Sequence, residues 1–109
     1  MARTRLTAQT IDLVAERFRT LGEPMRLRLL EALRSGEHSV GDLVELTGGG
    51  QANVSKHLQI LLTGGLVGRR KDGTTVLYRL ADPSVFQLCD IVCGRVEAQA
   101  EARHKALRN

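Results

Sequence analysis

The sequence predicts a mainly α-helical domain that carries one β-hairpin, on three observations. Apolar residues recur at helical spacing along most of the chain, and glycines and prolines punctuate the repeats. Between about residues 66 and 80 the period drops to two around an Asp-Gly pair, a hairpin signal. A length of 109 residues holds one modest core, so 1–109 reads as a single domain, with no internal repeat, low-complexity tract or linker.

The elements follow in order. Ile11, Val14, Ala15, Phe18 and Leu21 lie at helical spacing, which predicts a first amphipathic helix over about 8–21, stopped by Gly22. Pro24 suits the first turn of a second helix, 24-PMRLRLLEALRSG-36, with Leu27, Leu30 and Leu33 near one face and Gly36 as a left-handed cap. Ser39 with Asp42 three residues on forms a variant capping box for a short third helix carrying Leu43, Val44 and Leu46, ended by the glycines at 48–50.

A fourth helix from about 51 puts Val54, Leu58, Leu61 and Leu62 on one stripe and Ala52, Ser55, Lys56, Gln59 and Thr63 on the opposite one. After Gly64-Gly65 come two short strands, 66-LVGRRK and 74-TTVLYRL, joined at Asp72-Gly73. Asp82-Pro83 then opens a long helix to about 106. The order is α-α-α-α-β-β-α: a helix-turn-helix followed by a β wing.

Composition narrows the function classes. The balance of 42% apolar and 26% charged residues is that of a soluble globular protein, and no stretch reads as a transmembrane helix. The N-terminal MARTRLTAQTID has charge but no apolar run behind it, so it is not a secretory signal, and a cytoplasmic location is expected, with no membrane partner. The net charge of +4 is confined to residues 51–80, where five basic residues face Asp72 alone; the rest balances at 11 against 11. An acidic partner for that segment is expected.

The run 47-TGGGQANVSKHLQIL-61 is not a nucleotide cradle. A Walker-type loop needs G-x-x-x-x-G-K-[ST], whereas Lys56 follows a serine. A dinucleotide fingerprint needs a preceding strand and a third glycine where Asn53 stands. The glycines therefore read as a turn between two steeply packed helices.

In that arrangement the second helix enters the DNA major groove. Gln51 and Asn53 in its first turn can bond bidentately to adenine; Ala52, Ser55, Lys56 and Gln59 share the outward side, where serine and lysine suit phosphate or guanine. The same residues also make an ordinary solvated helix face. Arg69, Arg70, Lys71, Thr74 and Arg79 surround the hairpin, which can lie over the backbone or minor groove; a basic strand can equally be an edge guarded against aggregation.

On the last helix Phe86, Cys89, Cys93, Val96, Ala100 and Leu107 form a 3-4 seam with one step left out, a helix-pairing face. Cys89 and Cys93 either pack there as small hydrophobes or, with two-fold mates, offer up to four soft ligands to a thiophilic metal ion or an oxidant. No other cofactor is expected. A thiol enzyme is disfavoured, because the pair lies on an apolar seam and a reactive thiolate needs an electropositive niche. His38, His57 and His104 read as surface or packing residues, and the chain is not expected to be an enzyme.

The runs 20-TLGEPMRLRLLEAL-33, 52-ANVSKHLQILLTGGLV-67 and 68-GRRKDGTTVLYRLADPSVF-86 together resemble the ArsR/SmtB family of winged-helix bacterial repressors over about residues 8–106. The resemblance implies a homodimer, paired through the first and last helices with Phe18, Phe86, Cys89, Cys93, Val96 and Ala100 at the interface. It also implies repression of an inverted-repeat operator and release by an inducer; the alternatives are an effector-free DNA-binding regulator or a winged-helix protein-interaction module.

Two departures stand out. Gly49 and Gly50 occupy the apolar and capping positions of the family's usual turn, which predicts a looser turn that has lost about 1.5–3 kcal/mol of leucine burial. The family's metal sites also lack their ligands here, with no cysteine in 42-DLVELTG-48 and no histidine in 82–100.

Overall fold

The structure, a computed structural model, describes residues 6–108. Residues 1–5 and 109 of the expected single domain lie outside the described residues. Helices α1 (Ala8–Leu21), α2 (Pro24–Ala32), α3 (Val40–Thr47), α4 (Gln51–Thr63) and α5 (Ser84–Arg108) and strands β2 (Val67–Asp72) and β3 (Thr75–Leu80) follow the expected order. One element is additional: β1 (His38–Ser39), which pairs antiparallel with β3 and makes a three-stranded sheet of order β1-β3-β2.

Local chemistry sets the helix ends. The Thr7 hydroxyl accepts from the Thr10 N–H (3.1 Å) to start α1, and Glu23 caps α2 by accepting from the Arg26 N–H (3.0 Å), with Pro24 in the first turn. The capping box of α3 forms in both directions: the Asp42 N–H donates to the Ser39 hydroxyl (3.1 Å) and the Ser39 N–H to the Asp42 carboxylate (3.4 Å).

Leu29, Leu43, Val54, Leu58, Leu61 and Leu66 are wholly excluded from solvent and centre the core. On α2 the buried set is Met25, Leu29 and Leu30, with Leu33 just beyond, whereas Leu27 is 42% exposed. At 3.6 residues per turn these four span an arc of about 140°, and Leu27 falls outside it. Gly36 is not the expected left-handed cap: its φ of 135° and ψ of −166° are an extended conformation open to glycine, and a 3-10 turn at Leu33–Ser35 closes the helix instead.

The hairpin turn is displaced by one residue from the expected one. Asp72 pairs with Thr75 as the last rung, and Gly73 and Thr74 are the turn's centre. Gly73 has φ +64° while no non-glycine among the described residues has positive φ, the pattern of a type II′ turn with glycine first. α5 begins at Ser84, whose N–H donates to the Asp82 carboxylate (3.1 Å), so Asp82 caps the helix as expected.

Between α3 and α4, Gly48 at φ +73° ends α3. At Gly49, in the turn expected to be loose, the space beside the backbone is already occupied. A Cβ there would lie 2.7 Å from Met25 Cε and 3.0 Å from Val54 Cγ2, so the long, flexible Met25 fills the volume that a leucine at 49 would use. Gly50 starts α4 with no side-chain cap and open space beside it.

Candidate nucleic-acid interface

α3 and α4 place a polar helix face in solvent on a rigid base. Gln51, Ala52, Asn53, Ser55, Lys56 and Gln59 are all exposed, while Val54, His57, Leu58 and Leu61 are buried. The predicted face of α4 is therefore one continuous outward surface with the amides at its N-terminal end. There the first backbone N–H groups are free to meet an anion.

The wing brings Arg69, Arg70, Lys71, Thr74 and Arg79 to the surface, all exposed, but not onto one side. Cross-strand partners share a face, and the register pairs Arg69 with Tyr78, Arg70 with Leu77, and Gly68 with Arg79. With Val67 and Tyr78 buried, Arg69 and Lys71 extend the core-facing side of the sheet beyond the core, and Arg70 and Arg79 lie on the opposite face.

There Arg70 is already held. Its Nε and one terminal nitrogen donate to the two carboxylate oxygens of Glu37 at 2.8 and 2.9 Å, a bidentate pair across the sheet. Arg70, and more weakly Arg79, hold the Glu37 carboxyl below its ordinary pKa against the opposing effect of burial. The Arg79 guanidinium lies where a Cβ at Gly68 would stand, 2.9 Å away. Glu37 was not foreseen: nothing in the sequence marks a residue 33 positions from its partner.

His57 is the other residue the sequence undersold. It is the one buried polar residue among those described, 7% exposed, and its Nδ1 lies 3.2 Å from an Arg26 guanidinium nitrogen. The signal was present, since positions 54, 57, 58 and 61 continue the buried helical spacing.

The flanking helices α1 and α5 border an open groove of about 870 Å³ that α2 also lines, and its walls include Phe18, Leu30, Leu46, Phe86, Cys89 and Cys93. Of the predicted pairing residues, Phe86 and Cys89 rest partly on the chain's own core, with the Arg34 guanidinium 4.1 Å above the Phe86 ring. Phe18, Cys93, Val96 and Ala100 are exposed. Cys89 and Cys93 are free thiols one helical turn apart. Burial, then the neighbouring Cys93, pushes the Cys89 thiol up. Among the described residues no three His, Cys, Asp or Glu side chains converge to hold a metal ion, and no helix is long and apolar enough to cross a membrane.

A helix-turn-helix with an exposed second helix and a β wing packed beside it defines a winged helix-turn-helix domain. Residues 23–68 match the family described as bacterial regulatory protein, arsR family. The chain is 40% identical over 77 residues to the probable mercury resistance operon repressor of Streptomyces lividans, covering 71% of this chain and 62% of that protein. It is 39% identical over 77 residues to the uncharacterized HTH-type transcriptional regulator Rv0081 of Mycobacterium tuberculosis, covering 70% and 68%.

The crystal structure of Rv0081 superposes with a TM-score of 0.77 at 31% identity over 89% of this chain and 98% of that one. The solution structure of the homodimeric winged helix-turn-helix DNA-binding domain Mb0332 from Mycobacterium bovis gives 0.77 at 33% over 94% and 95%. This chain belongs to the ArsR family. It spans a little under two thirds of the Streptomyces repressor's length.

Proposed function

We propose that the protein is a dimeric, sequence-specific DNA-binding repressor that occupies an inverted-repeat operator. The observation that carries this is the unbroken exposed face of α4, with Gln51 and Asn53 leading it, set beside a wing that holds part of the chain's excess positive charge. The amides read base edges in the major groove; Ser55, Lys56, Gln59 and the backbone of Ala52 meet the groove walls and phosphates. Arg69, Lys71 and Thr74 run along the adjacent backbone. Arg79 stands on the opposite face of the wing, and Arg70 joins it only if Glu37 yields it.

The same reading makes the groove between α1 and α5 the seat of a second copy, with Phe18, Phe86, Cys89, Cys93, Val96 and Ala100 at the junction. The homodimeric Mycobacterium bovis domain supports it. A regulator of this kind acts in the cytoplasm, where its DNA is, and performs no catalysis.

The test is a titration against duplex DNA from upstream of the protein's own gene over a range of salt. Binding tighter than to random duplex is expected, with a log–log salt slope of several units from released counterions. The Gln51→Ala/Asn53→Ala double variant should lose about 1–3 kcal/mol of sequence preference per contact while keeping non-specific affinity. Affinity equal to that for random duplex would sink the reading.

A second reading concerns the signal. Cys89 and Cys93 both line the groove proposed for the second copy, and the Streptomyces relative's name refers to mercury resistance. Two thiols and their two-fold mates suit a soft metal ion, which as a charge placed in the dimer junction would bias the pairing of the α5 helices. Binding must first remove the Cys89 proton that burial favours. Operator affinity should then change on loading with a thiophilic metal or on mild oxidation, and the Cys89→Ser/Cys93→Ser variant should not respond. Identical behaviour of parent and variant when reduced, mildly oxidised and metal-loaded makes the cysteines packing residues.

A further inference from the structure

The polar cluster beneath α4 has a geometry that packing alone does not require. Arg26 sits half-buried in the first turn of α2, and its guanidinium reaches two other elements. Nε donates to the Thr20 carbonyl at 2.6 Å and one terminal nitrogen to the Arg19 carbonyl at 3.2 Å. Both carbonyls belong to the last turn of α1, where a helix has no partners of its own for them. The other terminal nitrogen donates to His57 Nδ1 at 3.2 Å.

Because Arg26 can only donate, Nδ1 accepts and the ring proton sits on Nε2, which lies 3.8 Å from the Glu23 carboxylate. Glu23 in turn accepts from the Arg26 N–H at 3.0 Å. One planar side chain thus ties the end of α1 to the middle of α4, and Glu23 squares it at the start of α2. His57 lies one helical turn after Asn53, at the edge of the buried stripe of α4 that borders the reading face.

We infer that Arg26 and His57 are positioning residues: they form a strut that sets the angle of α4 against α1, and thereby the separation of DNA half-sites that the dimer accepts. The inference rests on the dimeric-repressor reading, in which α1 belongs to the dimer junction and α4 to the reading surface. With the strut in place, a displacement of one base pair, about 3.4 Å along the duplex, leaves one recognition helix out of register. Without it α4 can rock on its apolar seat and tolerate the displacement.

The experiment uses the full chain and a duplex enriched from a random pool by the wild-type protein, then remade with its half-sites moved one base pair closer or further apart. The wild type should prefer the enriched spacing by about tenfold or more, equivalent to 1.4 kcal/mol. His57→Leu keeps the apolar volume but removes the acceptor, and should reduce that preference to within about threefold while still dimerising. His57→Asn carries an oxygen near the Nδ1 position and should restore it.

Arg26→Lys provides a second route should the leucine variant fold poorly, since one ammonium cannot span both carbonyls and the ring; it too should relax the preference. Unchanged spacing preference in a folded His57→Leu or Arg26→Lys protein overturns the strut. So does a loss shared equally by all spacings that His57→Asn fails to restore. A wild-type protein that enriches no inverted repeat overturns the dimeric-repressor reading itself, and the strut with it.

Discussion

Leu58 and Val96 are both aliphatic, both on helices, and both on a regular apolar spacing, yet Leu58 is fully buried and Val96 is 57% exposed. The contrast runs through the whole molecule. From α2 to β3 the apolar stripes close on one another around Leu29, Leu43, Leu58 and Leu66. In the flanking helices they do not: α1 buries only Leu21 and α5 only Val85, and Ile11, Phe18, Val92 and Val96 stand in solvent. Periodicity reports that a face needs covering, not that its own chain covers it. An open apolar groove beside two exposed seams is what half of an interface looks like.

Two substitutions should separate these regions. Leu58→Ala removes a fully buried side chain from the closed region and should cost about 2–5 kcal/mol, seen as a lower denaturation midpoint at any protein concentration. Phe18→Asp with Val96→Asp should leave the secondary structure in place and shift the sedimenting species from dimer to monomer, with a loss of operator affinity of about tenfold or more, a change above 1.4 kcal/mol. A doubly substituted protein that still sediments as the parent does would break the comparison, and the exposed stripes would then need another partner.

The same contrast explains what the sequence showed and what it hid. Helix limits were legible to within a residue or two where a cap or a break marks them, as at Pro24, the Ser39–Asp42 box and Gly48. β1 was not, because two residues cannot display a period, and it exists only through its pairing with Tyr78 and Leu77 of β3. The outward face of α4 was legible in full, since it is the complement of a buried stripe. The wing's charges were legible as a group but not their division between faces, which depends on a turn centred one residue later than the Asp-Gly pair suggests. Glu37 with Arg70 and Arg26 with His57 are contacts between residues 33 and 31 positions apart, and local patterning carries no information about such pairs.

Gly49 sharpens the comparison within the closed region. Met25 already fills the space beside it, so Gly49→Leu adds a side chain to an occupied site. About 1–3 kcal/mol of destabilisation is expected, with a Met25→Ala/Gly49→Leu double variant recovering part of it by returning the volume. Unchanged stability of the single variant would mean that Met25 moves aside freely and that the turn is as loose as its three glycines suggest.

Gly50, the next residue, should behave in the opposite way. It starts α4 with φ −73° and ψ 152°, a conformation open to any residue, has nothing within 4 Å of a Cβ, and leaves the first turn without a side-chain acceptor. Gly50→Ser supplies a hydroxyl that can accept from an N–H of that turn, worth a few tenths of a kcal/mol over glycine, and a less flexible unfolded chain adds about 0.4–1 kcal/mol. Thermal unfolding should therefore rise slightly. The hydroxyl also competes for the N–H groups that would meet a phosphate at the head of the reading helix. Operator affinity should stay level or fall a little even as stability rises, and a parallel gain in both would argue that those N–H groups take no part in binding.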